Sequence, residues 1–190
     1  MQKNIEAFEQ GFRRLDELLG LNGLTLRIIV CGGYLIQQMG IRGTVDVDAF
    51  YVKNDQIESL IKQVGAELGL NTEYTTWLNR SVATMSDWPD EKFHERLHTF
   101  DHLMIDRVTT EYLLGMKLRS TRERDVIDIL EPVTLYNHLN HMGIRVSMSY
   151  ILTAFSEMHG SDWFGRYFVE NQEELLKIFR IDDLRGKESM

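Results

Sequence analysis

Apolar residues return every three or four positions between residues 4 and 19, at Ile5, Phe8, Phe12, Leu15 and Leu19. That spacing lines one side of a helix and predicts an amphipathic one. The pattern then condenses into an apolar run, Leu24 to Cys31, which reads as a strand leading into Gly32-Gly33. Tyr34 to Met39 suits a short helix, and Gly40 to Thr44 a turn of small residues. From Val45 to Val52 apolar and polar positions alternate, the period of a strand with one buried face. Asp55-Gln56-Ile57-Glu58 opens a helix with an acceptor and a glutamate three apart. Its core face is Ile57, Leu60, Ile61, Val64 and Leu68, and Gly69 ends it. Trp77, Leu78, Val82 and Met85 suit another short helix, with Ser86 to Asp90 as a loop. Two strand-like runs between Arg96 and Val108 flank Asp101-His102 as a hairpin, and Thr109 or Thr110 caps the helix that follows.

From Pro132 onward the pattern is helical only. Leu135, Leu139 and Met142 make one apolar face, Ile151, Leu152, Phe155 and Met158 another, and Phe164 to Phe179 suggests one or two more helices. The expected fold class is therefore α/β (α+β), a mixed sheet with helices and a C-terminal helical appendage. Residues 1–131 form the first domain in this reading and residues 132–190 the helical region. Apolar residues make up 43% and charged residues 26% of the 190, enough apolar material for a core. No run of about 18 apolar residues marks a membrane span, and the N-terminus does not read as a signal peptide. One cysteine, Cys31, sits in an apolar run and forms no internal disulfide. The expected compartment is the cytoplasm, with no membrane partner.

Two aspartates carry the candidate chemistry. In a strand Asp46 and Asp48 share a face, roughly 7 Å apart at Cα, with Val45, Val47, Ala49 and Tyr51 on the other. Paired carboxylates repel unless a cation sits between them. Mg²⁺ is a hard cation usually held by one or two carboxylates plus substrate phosphates. Gly32 and Gly33, at a strand–helix junction, offer backbone N–H groups to phosphate. Thr44 adds a hydroxyl, or serves only as a turn residue. The whole describes a site for Mg²⁺ (or Mn²⁺) and a nucleoside triphosphate (NTP), with Asp46 and Asp48 as metal ligands. The six histidines include a His138–His141 pair at helical spacing, but no further zinc ligands accompany it. The net charge of −8 argues against a protein that coats nucleic acid, while Lys117, Arg119, Arg122 and Arg124 make a local basic patch.

Gly32-Gly33, a spacer, then Asp46-Val47-Asp48 resembles the signature of the polymerase-β-like nucleotidyltransferase superfamily. A second block runs from Glu111 through Lys117 to Arg124-Asp125-Val126-Ile127-Asp128-Ile129, and resembles the minimal branch that includes AbiEii-type type IV toxins. The resemblance spans about residues 20 to 130. It implies a mixed-sheet nucleotidyltransferase fold and transfer of a nucleoside monophosphate (NMP) to a hydroxyl on RNA, a protein or a small molecule. Arg42 or Lys117 would neutralise the leaving pyrophosphate, the resemblance favouring Lys117, and Asp125 and Asp128 either orient that lysine or belong to helix capping. No motif marks a third carboxylate after Asp48; Asp106, on a strand that can lie beside the acidic one, is the first choice and Asp101 the second. A toxin-like protein of this kind would act with a cognate partner protein or as a homodimer. The alternatives are an inactive nucleotide-binding module of the same fold, and an interaction protein working through residues 132–190.

Overall fold

The computed structural model describes residues 5–40, 43–85 and 88–110, with Tyr112, Leu113 and Met116. The chain forms two compact units, Met1–Thr109 and Thr110–Met190. The boundary expected at 131–132 and the C-terminal helices lie outside the described residues. Among those described, no helix is long and apolar enough to cross a membrane.

Among the described residues, four α-helices and a sheet build the first unit. Helix α1, Ile5–Leu21, runs two residues beyond the predicted end and buries Phe8, Phe12, Leu15, Leu18 and Leu19. Strand β1, Leu26–Cys31, feeds helix α2, Gly33–Gln38, and the chain returns as β2, Val47–Phe50. Helix α3, Asp55–Glu67, is capped one residue earlier than expected. The Asn54 side chain accepts from the N–H groups of Gln56 and Ile57, so Asp55 falls inside the first turn. Trp77 and Leu78 do not belong to a helix. Leu78–Asn79 is a two-residue strand, β3, and the helix (α4) is only Ser81–Met85. The predicted hairpin is present as β4, His94–Thr99, and β5, Leu103–Val108.

The strands form one mixed sheet in the order β3-β2-β1-β5-β4. β1 is antiparallel to β2 and parallel to β5, β2 is parallel to β3, and β4 is antiparallel to β5. Register separates the sheet into two unlike faces, because paired residues share a side. Ile28, Val30, Ala49 and Ile105 fall on one face and are fully buried, as a helix-covered face requires. Arg27, Ile29, Cys31, Asp48, Phe50 and Asp106 fall on the other. All of the sheet's candidate chemistry is on this second face.

Aromatic contacts tie the helices together. Phe8 and Phe12 of α1 meet Tyr34 of α2 edge-on at 5.9 and 5.8 Å between ring centres. Phe12 also meets Trp77 at 5.4 Å, and Trp77 Nε1 donates to the Ile61 carbonyl of α3 at 2.9 Å. A buried indole needs such an acceptor. The start of β5 is held by α1, where Asp16 Oδ1 accepts from the N–H groups of His102 and Leu103.

Candidate active site

Strand β1 ends at Cys31, whose register partner across the antiparallel pair is Asp48. The next residue, Gly32, has φ +66° and ψ −146°, a backbone region that only glycine enters readily. A Cβ on Gly32 would stand 2.5 Å from Asp48 Oδ2 and 3.3 Å from its Cγ. The turn into α2 therefore lays bare backbone against the Asp48 carboxylate. Both the dihedral and the approach demand glycine at this position.

Asp46 is placed differently from the expectation. β2 begins only at Val47, so Asp46 lies in the bend before it and the pleat does not set its direction. Side chains do so instead. Asp46 Oδ2 accepts from Asn79 Nδ2 at 3.0 Å, and Oδ1 accepts from the Thr44 hydroxyl at 3.4 Å. Asn79 is itself the register partner of Asp48 across β2 and β3, and neighbouring strands lie about 4.8 Å apart. Asn79 thus joins the neighbourhoods of the two aspartates. Its Oδ1 also accepts from the Ser81 N–H at the start of α4. Thr44 is buried, and its N–H donates to Gln37 Oε1 of α2 at 3.1 Å, anchoring the loop that delivers Asp46.

The donor set suits a hard cation. Two carboxylates stand with a hydroxyl and an amide, all oxygen ligands or neutral supports, the chemistry Mg²⁺ prefers. Among the described residues no group of three or more His, Cys, Asp or Glu gathers to hold a metal ion. A metal bound by Asp46 and Asp48 would complete its shell with phosphate oxygens and water.

A family model described as "nucleotidyltransferase of unknown function (DUF6036)" matches residues 7–163. The chain belongs to this nucleotidyltransferase family. No curated protein matches it. In this nucleotidyltransferase the remaining sequence-level candidates are scattered. Asp106 lies on the second sheet face in β5, at the level of Ile29, two residues below the Cys31–Asp48 pair. Both its oxygens are engaged. Arg27 Nε and Nη2 donate to Oδ2 at 2.8 and 2.6 Å, and Arg96 Nε meets Oδ1 at 2.6 Å. Continuing the β1–β5 register brings Val108, not a carboxylate, level with Cys31 and Asp48. Asp101 is exposed in the β4–β5 turn, beside the start of β1 and at the far end of the sheet from Gly32. Arg42, Lys117, Asp125 and Asp128 lie outside the described residues.

Cys31 is buried, and its thiol donates to the Asp48 carbonyl at 3.5 Å, a packing role beside the site. Two residues escaped the sequence reading. Asn79 was signalled by a polar side chain closing the buried Trp77-Leu78 pair. Arg27 was signalled by a charge inside the apolar run Leu26 to Cys31.

Proposed function

We propose that the protein transfers an NMP from an NTP to a hydroxyl acceptor, with Asp46 and Asp48 holding one or two Mg²⁺ or Mn²⁺ ions. The acceptor oxygen forms a bond to the α-phosphorus, the α–β phosphoanhydride bond breaks, and pyrophosphate leaves. The hydroxyl proton passes to the Asp48 carboxylate. When bound, the cation neutralises charge that builds on the phosphate oxygens. The chain's own residues supply the positioning, which dominates this class of reaction. Asn79 and Thr44 fix Asp46, while Gly32 and Gly33 present backbone to the phosphates beside Asp48. Arg42 or Lys117 neutralises the pyrophosphate, the family motif favouring Lys117. The resemblance further favours a cytoplasmic, toxin-like role beside a cognate partner protein or a second copy.

The observation that carries this reading is the apposition of Gly32 to the Asp48 carboxylate, with Asn79 linking Asp48 to Asp46. Val108 at the level of Asp48 on β5 favours one second reading, a nucleotide-binding module without turnover. Incubation with α-labelled NTPs, Mg²⁺ and total cell RNA and protein separates the two. Transfer of label that disappears in Asp46→Asn and Asp48→Asn supports the enzyme. Mg²⁺-dependent NTP binding without transfer supports the module. Unchanged NTP affinity in both variants overturns the site. Lys117→Ala and Arg42→Ala, assayed side by side, identify the residue that serves pyrophosphate release by the larger fall in rate.

A further inference from the structure

On the second sheet face, below the aspartates, lies a cavity of about 660 Å³ that the nucleotidyl-transfer chemistry leaves unassigned. Its size falls within the usual span of small-molecule sites, about 300–1,000 Å³. Arg27 and Ile29 line it from β1, Lys53 from the segment after β2, Trp88 from the loop before β4, and His94 from β4 itself. Ile29 and Arg27 stand two and four residues from Cys31 along one strand, so the cavity begins about 7–13 Å from the level of Asp48.

Arg27 is unusually well held for a half-exposed arginine. Its side chain is 50% exposed, yet two of its N–H groups converge on one oxygen of Asp106, whose side chain is 2% exposed. Three of its five N–H groups have no partner among the described residues. The same Asp106 Oδ2 lies 3.4 Å from His94 Nδ1, so one buried carboxylate orients two cavity-lining groups at once. A guanidinium locked in place with unspent donors is a receptor for phosphate or carboxylate oxygens. Lys53 adds a second cation on the same cavity.

The remaining walls are not those of a bare anion site. Trp88 is 45% exposed and tilted against Phe50 at 6.2 Å, which leaves part of a rigid indole facing outward. Base–aromatic stacking contributes about 1–3 kcal/mol and tolerates any base, since each has a π face. Asp90 and Glu91 also line the cavity, and carboxylates accept from the hydroxyls of a ribose. Anion receptor, flat aromatic wall and hydroxyl acceptors together match one ligand chemistry.

We propose that this cavity is the acceptor subsite and takes a ribonucleotide unit, with phosphate on Arg27 and Lys53 and base on Trp88. The proposal rests on the nucleotidyl-transfer reading of Asp46 and Asp48, the second of which lies on the same sheet face. Asp106 is then a positioning residue that aims Arg27 and His94. Free mononucleotide and the end of an RNA strand share this chemistry, and the test distinguishes them.

The full chain is titrated with AMP, with adenosine and with a twelve-nucleotide single-stranded RNA, in EDTA and without NTP. Heat of binding and tryptophan emission are both recorded. Binding of AMP identifies a free nucleotide as sufficient, and binding of RNA alone identifies a strand end. Adenosine is expected to bind at least tenfold more weakly than AMP. Arg27→Gln and Lys53→Glu should each weaken the bound probe at least tenfold, and Trp88→Phe should remove most of the emission change. Asp48→Asn should leave this binding intact while abolishing Mg²⁺–NTP binding. Among the described residues Lys53 has no bond to Asp106, so Lys53→Glu carries the test if Arg27→Gln does not fold. Failure of both AMP and RNA to bind, or unchanged affinity in Lys53→Glu, overturns the proposal. Intact probe binding with no label transfer refutes the catalytic reading instead and leaves the cavity a ribonucleotide site without the acceptor role.

Discussion

At Gly32 two independent constraints exclude a side chain: a positive φ and a carboxylate oxygen where a Cβ would go. Gly32→Ala should lose about 1–3 kcal/mol from the backbone conformation alone. It should also push Asp48 away and weaken Mg²⁺–NTP binding. Chemical denaturation and calorimetry on the same variant check both. Full stability with unchanged affinity would show that the turn adjusts freely. Asn79 acts one step further out. Removing its amide leaves Asp46 Oδ2 and the Ser81 N–H without this partner, a loss of about 1–3 kcal/mol for buried groups and less for half-buried ones. Asn79→Ala should raise the Mg²⁺ concentration needed for half-maximal NTP binding more than it lowers the melting temperature, since Asp46 loses its orientation. An equal effect on wild-type and Asp46→Asn backgrounds would disconnect Asn79 from the site.

Helix α1 is the element that holds the others. Phe12 touches both Tyr34 and Trp77, joining α2 and the segment before β3 to one side chain. Phe12→Ala should cost about 3–5 kcal/mol, the range for deleting a buried aromatic, as measured by denaturant midpoint. Tyr34 adds a pH dependence to the same cluster. Burial, reinforced by Glu9, pushes its phenol up to about 12 from an ordinary value of 10, while the Gln38 side chain donates to its hydroxyl and offsets part of this. The folded value is raised, so the stabilising contribution is complete below pH 10 and is lost as pH rises from 10 to 12. Thermal melts across that window should fall steeply for the wild type and less steeply for Tyr34→Phe. On the acid side, the Arg14 guanidinium of α1 lowers Glu67 of α3 below its usual value of 4.5. That link is present above pH 4.5 and is lost as pH falls below it, a small effect at an exposed pair.

For the first unit as a whole, function follows from an asymmetric sheet. One face is apolar and buried at Ile28, Val30, Ala49 and Ile105, with the Arg107–Glu95 ion pair at its edge, and the other carries Arg27, Asp48 and Asp106 between hydrophobic neighbours. Ligand that binds only the folded chain stabilises it by mass action, about 2.7 kcal/mol at a hundredfold excess over Kd. NTP with Mg²⁺ should therefore raise the melting temperature of the wild type, and the Mg²⁺-dependent part of that shift should vanish in Asp48→Asn. A Mg²⁺-dependent shift that survives in Asp48→Asn would locate the metal–nucleotide site elsewhere. The net charge of −8 sets the context for an acceptor. A chain of this sign does not track long nucleic acid by charge alone, which suits recognition of one unit in a cavity.

The amino-acid pattern alone was enough for the elements whose signal is local. The three-to-four spacing of α1 and α3, the apolar run of β1 and the paired runs of the hairpin each specify a period within a dozen residues. The glycine pair and the two aspartates were equally legible, because each pair is a local motif within three residues. What it could not determine depended on strand pairing. β3 is two residues long, too short to show an alternation, and only its pairing with β2 makes it a strand. Asp46 falls outside β2, so Asn79 and Thr44 orient it, one of them 33 residues away. Arg27 and Asp106 are 79 residues apart and meet because β1 and β5 run parallel. That same pairing sets Val108, rather than Asp106, level with Asp48. Periodicity reports which face a residue takes in its own element, whereas register across the sheet decides which distant side chains share it.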